Sequence, residues 1–290
     1  MTAAARPPID AVRAAVALAL REDLTPLGDV TSALLDPEVR ATANFVARVD
    51  GVLAGVDCAT EAFVQVDPTV VVDWLAGDGD AIEGKQVIGK VQGALPSILT
   101  SERTALNFLC HLSGIATMTA QFVAATRGGA RIWDTRKTTP GLRALEKAAV
   151  RAGGGANHRG NLSDWVLLKD NHLAVLGIED AVRRARTRWP ARTVHVECES
   201  IEHVRVALAA GADALLLDNM EAEQVRQCVA LADEHAATSG QRRPLLEVSG
   251  RVTLPRVPEL AATGVDLLSV GDITNSAPNL DIGLDIEVTQ

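Results

Sequence analysis

The feature that most constrains this chain is a rhythm in its second half. From Arg131 onward, short apolar runs with strand character recur at 131–134, 165–169, 193–197, 214–218, 245–249 and 267–271. Helix-forming stretches separate the later ones, at 179–188, 201–210, 222–232 and 254–262, with Gly211 and Gly264 where C-capping glycines belong. Antiparallel strands can be joined by a tight turn, whereas parallel strands need a crossover about as long as a helix. Strict strand–helix alternation therefore predicts a parallel α/β structure of about six strands. Each run also ends on a residue with chemistry in it: Asp134, Lys169, Glu197, Asp218, Ser249-Gly250 and Gly271. Barrels of alternating strands and helices build their active sites at the carboxyl ends of the strands, so this series reads as a catalytic rim.

The first hundred residues follow another pattern. An opening helix at 9–21, strand-like runs at 43–48, 70–74 and 87–91, a helix at 58–66 and a turn at Gly77-Asp78-Gly79-Asp80 predict an α+β unit with an antiparallel sheet. Ser101 is the expected N-cap of the long helix that follows. Residues 104–126 carry no charged side chain and are long enough to span a bilayer. They also contain Asn107, His111, Ser113, Thr117, Thr119 and Gln121, too many polar groups for a lipid-facing helix. The expectation is a buried or interfacial helix pair broken near Gly114, with no membrane partner.

Charge sharpens the picture. The chain carries 28 basic and 37 acidic side chains, a formal net charge of −9, which argues against a nucleic-acid partner. Between Arg131 and His172, however, eight Lys/Arg stand against four Asp/Glu. Arg136 and Lys137 follow one strand directly, His158-Arg159 follow the Gly153-Gly154-Gly155 triplet, and Lys169 closes the next strand. Arginine offers a rigid fork for carboxylate or phosphate, and lysine a compact charge. Five cationic or protonatable groups at strand ends predict a pocket for an anionic substrate. Glu197 and Asp218 bring the opposite charge at successive strand ends, suited to ribose hydroxyls, a hard cation or a developing positive centre. The EVSG run at 247–250 and the SVGD run at 269–272 end adjacent strands, as phosphate cradles of barrels do.

Other chemistries lack their motifs. The four cysteines have neither metal-ligand nor redox spacing and read as reduced, mostly buried residues of a cytoplasmic protein. Neither a P-loop lysine motif nor a dinucleotide glycine fingerprint is present. His111 and His195 read as satisfied core or helix residues.

Taken together, the runs TSERTALNFLCHLSGIAT, DTRKTTPGLR, GGGANHRGNLSDWVLLKDNH, VECES, LLLDN, EVSG and SVG resemble the quinolinate phosphoribosyltransferase family, in the family's order and over nearly the whole chain. The resemblance implies an N-terminal α+β open sandwich at 1–113, completed by the tail 275–290, and an incomplete β/α barrel at 114–274. It implies an enzyme of NAD biosynthesis that joins quinolinate to 5-phosphoribosyl 1-diphosphate and releases diphosphate and carbon dioxide. Homodimers with shared active sites are expected, Arg103 reaching the partner's site. Arg136, His158, Arg159 and Lys169 would surround the quinolinate carboxylates, with Lys137 also serving the anion pocket. Glu197 and Asp218 would hold the ribose and its Mg²⁺, directly or through water, and share the catalytic role with Lys169. Ser249, Gly250 and Gly271 would bind the 5′-phosphate. Three positions depart from the family's habit: Asn275 stands where a histidine is common, Asp272 puts a negative charge beside Gly271, and Gly160 replaces a bulkier apolar residue. A molybdenum-associated paralogue, a nicotinate phosphoribosyltransferase and a non-catalytic phosphometabolite sensor are the rival readings.

Overall fold

A computed structural model describes residues 6–289. Residues 1–5 and 290, which the expected N-terminal domain and its tail include, lie outside the described residues. The chain folds into two compact units, each assembled from separated stretches: Met1–Ala120, Lys137–Gly154 and Asp272–Gln290 form one, Gln121–Arg136 and Gly155–Gly271 the other.

The first unit opens with α1 (Ile9–Leu24) and carries β1 (Arg40–Ala47), β2 (Gly51–Val52), α2 (Val56–Val66), β3 (Val71–Trp74), β4 (Ala81–Ile82) and β5 (Val87–Ala94). Next comes α3 (Leu95–Ala125), whose last residues run into the second unit. Alternating burial along β1 hides Ala41, Ala43 and Phe45 and leaves residues between them toward solvent, as a half-covered sheet requires. Phe45 stacks on Trp74 at 4.8 Å and meets Phe63 of α2 edge-on at 6.0 Å, fixing the helix on the sheet. The antiparallel sheet runs β12-β1-β5-β3, where β12 (Ile282–Thr289) is the chain's last strand.

Two expectations for α3 fail. The helix starts at Leu95, with Pro96 in its first turn, where the missing N–H costs nothing. Ser101 therefore sits inside it, fully buried, its hydroxyl donating back to the Ser97 carbonyl at 2.8 Å rather than capping. Nor does the helix break near Gly114. A Cβ at Gly114 would lie 2.0 Å from the Pro278 carbonyl oxygen, so glycine is there to let the tail backbone seat against an unbroken helix of 31 residues. By length and apolarity alone α3 could cross a membrane, yet half of its most apolar window is buried inside the protein.

The second unit holds β6 (Arg131–Trp133), β7 (Val166–Leu168), α5 (Asp170–Leu176), α6 (Ile178–Arg188), β8 (Val194–Cys198), α7 (Ile201–Ala209), β9 (Ala214–Asp218), α8 (Ala222–Ser239), β10 (Leu245–Ser249), α9 (Val257–Ala261) and β11 (Leu267–Ser269). Between β6 and β7, α4 (Arg143–Ala152) belongs to the first unit, as does α10 (Asp272–Asn275) after β11. The six strands form one parallel sheet in the order β6-β11-β10-β9-β8-β7, the incomplete β/α barrel expected from the alternation and the resemblance. Gly211 and Gly264 adopt left-handed backbone behind α7 and α9, as expected.

The register of this sheet sorts its side chains. Glu197, Leu216, Glu247 and Leu267 stand in one row, Asp218 pairs with Ser249, and Ser269 pairs with Trp133. Alternation then places Trp133, His195, Glu197, Asp218, Glu247, Ser249 and Ser269 on one face. The opposite face is Ile132, Val194, Val196, Cys198, Leu215, Leu217, Leu246, Val248 and Leu268, all buried. One face makes the core with the helices; the other carries the chemistry.

Candidate active site

The polar face ends in a rim. Lys169 follows β7 as the N-cap of α5, and its ammonium is in direct contact with the carboxylate of Glu197 at the end of β8. Parallel pairing of Leu168 with Val196 brings the next residues of the two strands side by side, which produces this ion pair. Asp218 ends β9, half-buried, and accepts from the Asn219 side chain at 2.6 Å. The Asn219 N–H donates to the Ser249 carbonyl at 3.0 Å, tying the ends of β9 and β10 together. Gly250, with φ +80°, must be glycine: a Cβ there would fall 2.3 Å from Asn219 Oδ1. Gly271 follows β11 at the same end of the sheet, since Val270 N–H donates to the Trp133 carbonyl at 2.9 Å.

A buried acid organises the cationic loop. Asp134, directly after β6 and inaccessible to solvent, accepts from the Asn157 side chain at 2.6 Å and from the His158 N–H at 2.8 Å. That fixes the turn on which Arg159 stands. Arg159 is only 8% exposed. Burial, and then the positive charge of Arg136, push its guanidinium below the ordinary arginine range, with Asp164 and Glu247 pulling the other way.

Beneath the rim lies a cluster that the sequence did not announce. His158 is caged by Trp133 at 5.5 Å, Trp165 at 5.0 Å and His195 at 6.0 Å between ring centres. Glu247 of β10, 1% exposed, reaches within 3.4 Å of His158 Nε2 and 3.5 Å of His195 Nε2. Neither Glu247 oxygen makes a well-formed hydrogen bond, and neither does His195 Nε2. Burial pushes the Glu247 carboxyl up, and the facing imidazoles, helped by the Ser269 hydroxyl, outweigh it and hold it below its usual range. Burial lowers His195 in turn. His195 is thus a core residue, as expected, but not a satisfied one. The signal for Glu247 was available in the sequence: it stands two positions before Ser249 in a strand, on the same face, inside an otherwise apolar LLEVS run.

The second unit contains Arg136, His158, Arg159, Lys169, Glu197, Asp218, Ser249, Gly250 and Gly271. Arg103 and Lys137 belong to the first unit. Arg103 stands exposed on α3, and the Lys137 carbonyl accepts from Thr274 at 2.7 Å. Of the departures, Gly160 N–H donates to Asp164 at 2.5 Å, and Asn275 accepts from Ser276 at 2.7 Å. His111 reads as expected, a helix residue whose Nε2 lies 2.9 Å from the buried Glu146. The cysteines are free, three of them buried, with burial first among the causes that push Cys58 and Cys198 up to about 12.

An open six-stranded β/α barrel with a buried arginine, a lysine–glutamate pair and a further acid along its carboxyl rim has the layout of an enzyme site suited to an anionic substrate. The comparisons narrow this class. Residues 29–113 match the model of the quinolinate phosphoribosyl transferase N-terminal domain, and residues 115–285 that of its C-terminal domain. The chain is 43% identical to a nicotinate-nucleotide pyrophosphorylase [carboxylating] of Mycobacterium leprae, covering 96% of this chain and 98% of that protein. It is 37% identical to a quinolinate phosphoribosyltransferase [decarboxylating] of Nicotiana tabacum, over 93% and 80% of the two chains. Among solved structures, a nicotinate-nucleotide pyrophosphorylase from Francisella tularensis superposes with a TM-score of 0.92 at 36% identity, over 97% of this chain and 98% of that one. The chain belongs to the quinolinate phosphoribosyltransferase family.

Proposed function

We propose that this protein transfers the phosphoribosyl group of 5-phosphoribosyl 1-diphosphate to quinolinate and decarboxylates the product, giving nicotinate mononucleotide, diphosphate and carbon dioxide in NAD biosynthesis. The observation that carries the reading of the pocket is Arg159. Its guanidinium is buried and held in an unfavourable state by desolvation and by the charge of Arg136. A guest with two carboxylates relieves that cost, which a neutral ring would not.

On this reading Arg136, Arg159 and Lys169 bind the quinolinate carboxylates, and His158 backs them. Ser249, Gly250 and Gly271 cradle the 5′-phosphate. As the C1′–O bond to diphosphate breaks, Glu197 and Asp218 steady the positive sugar carbon, and the pyridine nitrogen attacks it. The resulting pyridinium draws the electron pair of the C2–carboxylate bond into the ring, carbon dioxide departs, and C2 takes a proton. A covered site keeps water from capturing the sugar carbon.

The donors suit Mg²⁺. Oxygens of Asp170, Glu197 and Glu199 lie within 4.8 Å of one another, with Asp170 and Glu199 open to solvent, so an ion could keep its waters and substrate oxygens. Glu197 and Asp218 would hold it directly or through water, and it would neutralise the departing diphosphate. The protein is proposed to work in the cytoplasm as a homodimer with shared sites, Arg103 entering the partner's pocket.

Purified protein mixed with 5-phosphoribosyl 1-diphosphate, Mg²⁺ and either quinolinate or nicotinate decides the reaction. Carbon dioxide and nicotinate mononucleotide should form from quinolinate; no turnover with quinolinate overturns the reading. Arg103→Ala and Lys169→Ala proteins, each inactive alone, should regain part of the activity when mixed. Folded, subunit-exchanging mixtures without rescue would refute shared sites.

A further inference from the structure

His158 does not present a bare ring nitrogen to a substrate. Its Nδ1 accepts the backbone N–H of Arg159 at 2.9 Å, so in a neutral ring the proton is on Nε2. Nε2 is the atom that faces Glu247 Oε2 at 3.4 Å, inside the cage of Trp133, Trp165 and His195. The chain of contacts runs from a buried carboxylate, through an imidazole held in one tautomer, to the peptide plane of the arginine. On the other side the His158 N–H is held by Asp134.

We propose that Glu247 is a positioning residue for the acceptor pocket: it fixes His158 in the Nε2–H form, and His158 in turn fixes Arg159 against the substrate carboxylate. This deepens the functional reading given above and rests on it. A carboxylate is otherwise hard to account for here. It is almost entirely buried, lacks a close hydrogen bond, and stands in a strand whose other inner positions could carry an apolar side chain. Unsatisfied buried acids destabilise, so their retention points to a task.

The same three side chains invite a different interpretation. His158, His195 and Glu247 place their ligand atoms within 4.8 Å of one another, a spacing that could hold a metal ion. The tautomer argues against it. A metal on Nε2 of His158 would force the ring proton onto Nδ1, directly against the Arg159 N–H that Nδ1 now accepts. Satisfying the metal would thus break the hydrogen bond that holds the arginine.

Three variants test the proposal. Glu247→Leu removes the acceptor, Glu247→Gln retains one, and His158→Gln replaces the ring with a flexible amide. Glu247→Leu should raise the KM for quinolinate at least tenfold and leave the KM for 5-phosphoribosyl 1-diphosphate within about twofold. Glu247→Gln, whose amide oxygen can still accept from Nε2–H, should stay within about threefold of the original protein. His158→Gln should reproduce the quinolinate defect, and adding Glu247→Leu to it should worsen it little, because the two act through one path. An unchanged quinolinate KM in Glu247→Leu, or an equal rise in both KM values, overturns the proposal. Imidazole ¹H–¹⁵N spectra give a readout independent of turnover. The Nε2–H pattern of His158 should be present in the original protein and altered in Glu247→Leu; identical spectra overturn the proposal, whether or not quinolinate proves to be the substrate. Zinc or manganese binding that shifts the His158 signals at one equivalent would also overturn it, in favour of a metal site.

Discussion

Two buried glutamates, one in each unit, have opposite surroundings. Glu146 on α4 is fully buried and fully engaged: Oε1 meets His111 Nε2 at 2.9 Å and Oε2 accepts the Thr139 N–H at 3.1 Å. Glu247 on β10 is just as buried, yet the histidines facing it stand 3.4 and 3.5 Å away, and neither they nor Ser269 give its oxygens a close, well-aligned hydrogen bond. Glu146 staples a loop to two helices, and each of its oxygens has a job in the fold. Glu247 serves the fold poorly and faces the histidine behind a buried arginine. Saturated carboxylates hold structure; under-satisfied ones mark where structure has been subordinated to chemistry.

The largest loss of stability is expected at Glu146. Glu146→Ala leaves the Thr139 N–H and His111 without their acceptor and opens a void, so urea unfolding should show a loss of about 3–4 kcal/mol. A loss below about 1 kcal/mol would mean the staple is ornamental.

Asp78 offers an intermediate case. It is 7% exposed, accepts the Val56 N–H at the start of α2 at 3.1 Å, and is pushed up by burial to about 6. A carboxyl raised from 3.8 binds an extra proton in the folded state between about pH 4 and 6, so its contribution falls as pH rises through that window. Asp78→Asn, which keeps the acceptor oxygen and cannot ionise, should therefore be more stable than the original protein by about 3 kcal/mol at pH 7.5. The gain should vanish below pH 4. Thermal unfolding across that range reads it directly, and a gain that persists at pH 3.5 would assign it to another cause.

The smallest stability change is expected at Glu247 itself. Replacing a poorly satisfied buried acid by leucine should move the unfolding free energy by no more than about 1 kcal/mol in either direction, even as the quinolinate KM rises. A loss comparable with that of Glu146→Ala would erase the distinction between the two residues.

Much of this fold is legible in the amino-acid order alone. The six strand-like runs fall within a residue or two of β6 to β11, because apolar runs punctuated by glycine and separated by helices allow few other folds. The strand-end positions of Lys169, Glu197, Asp218 and Ser249 are legible for a related reason: a polar residue closing an apolar run marks where the strand leaves the core. Two kinds of information were not legible. Gly114 looked like a helix break because a glycine's reason can lie in a distant segment, here the Pro278 carbonyl. The contact of Glu247 with His158 and His195 is not legible, because it depends on register across neighbouring strands, a property of pairing rather than of any one run. Ser101 misled by its type: a serine can cap a helix or, as here, return its hydroxyl to the preceding turn.

The placement of β12 has a consequence for how the molecule is made. β1 is flanked by β5 on one side and by β12 on the other, so residues 40–47 pair with residues 282–289. A chain emerging from the ribosome therefore leaves that β1 edge open until residues 282–289, far along the sequence, have been made. This sheet is begun before the parallel one and closed after it, and until then its open side is a place where another nascent chain can add.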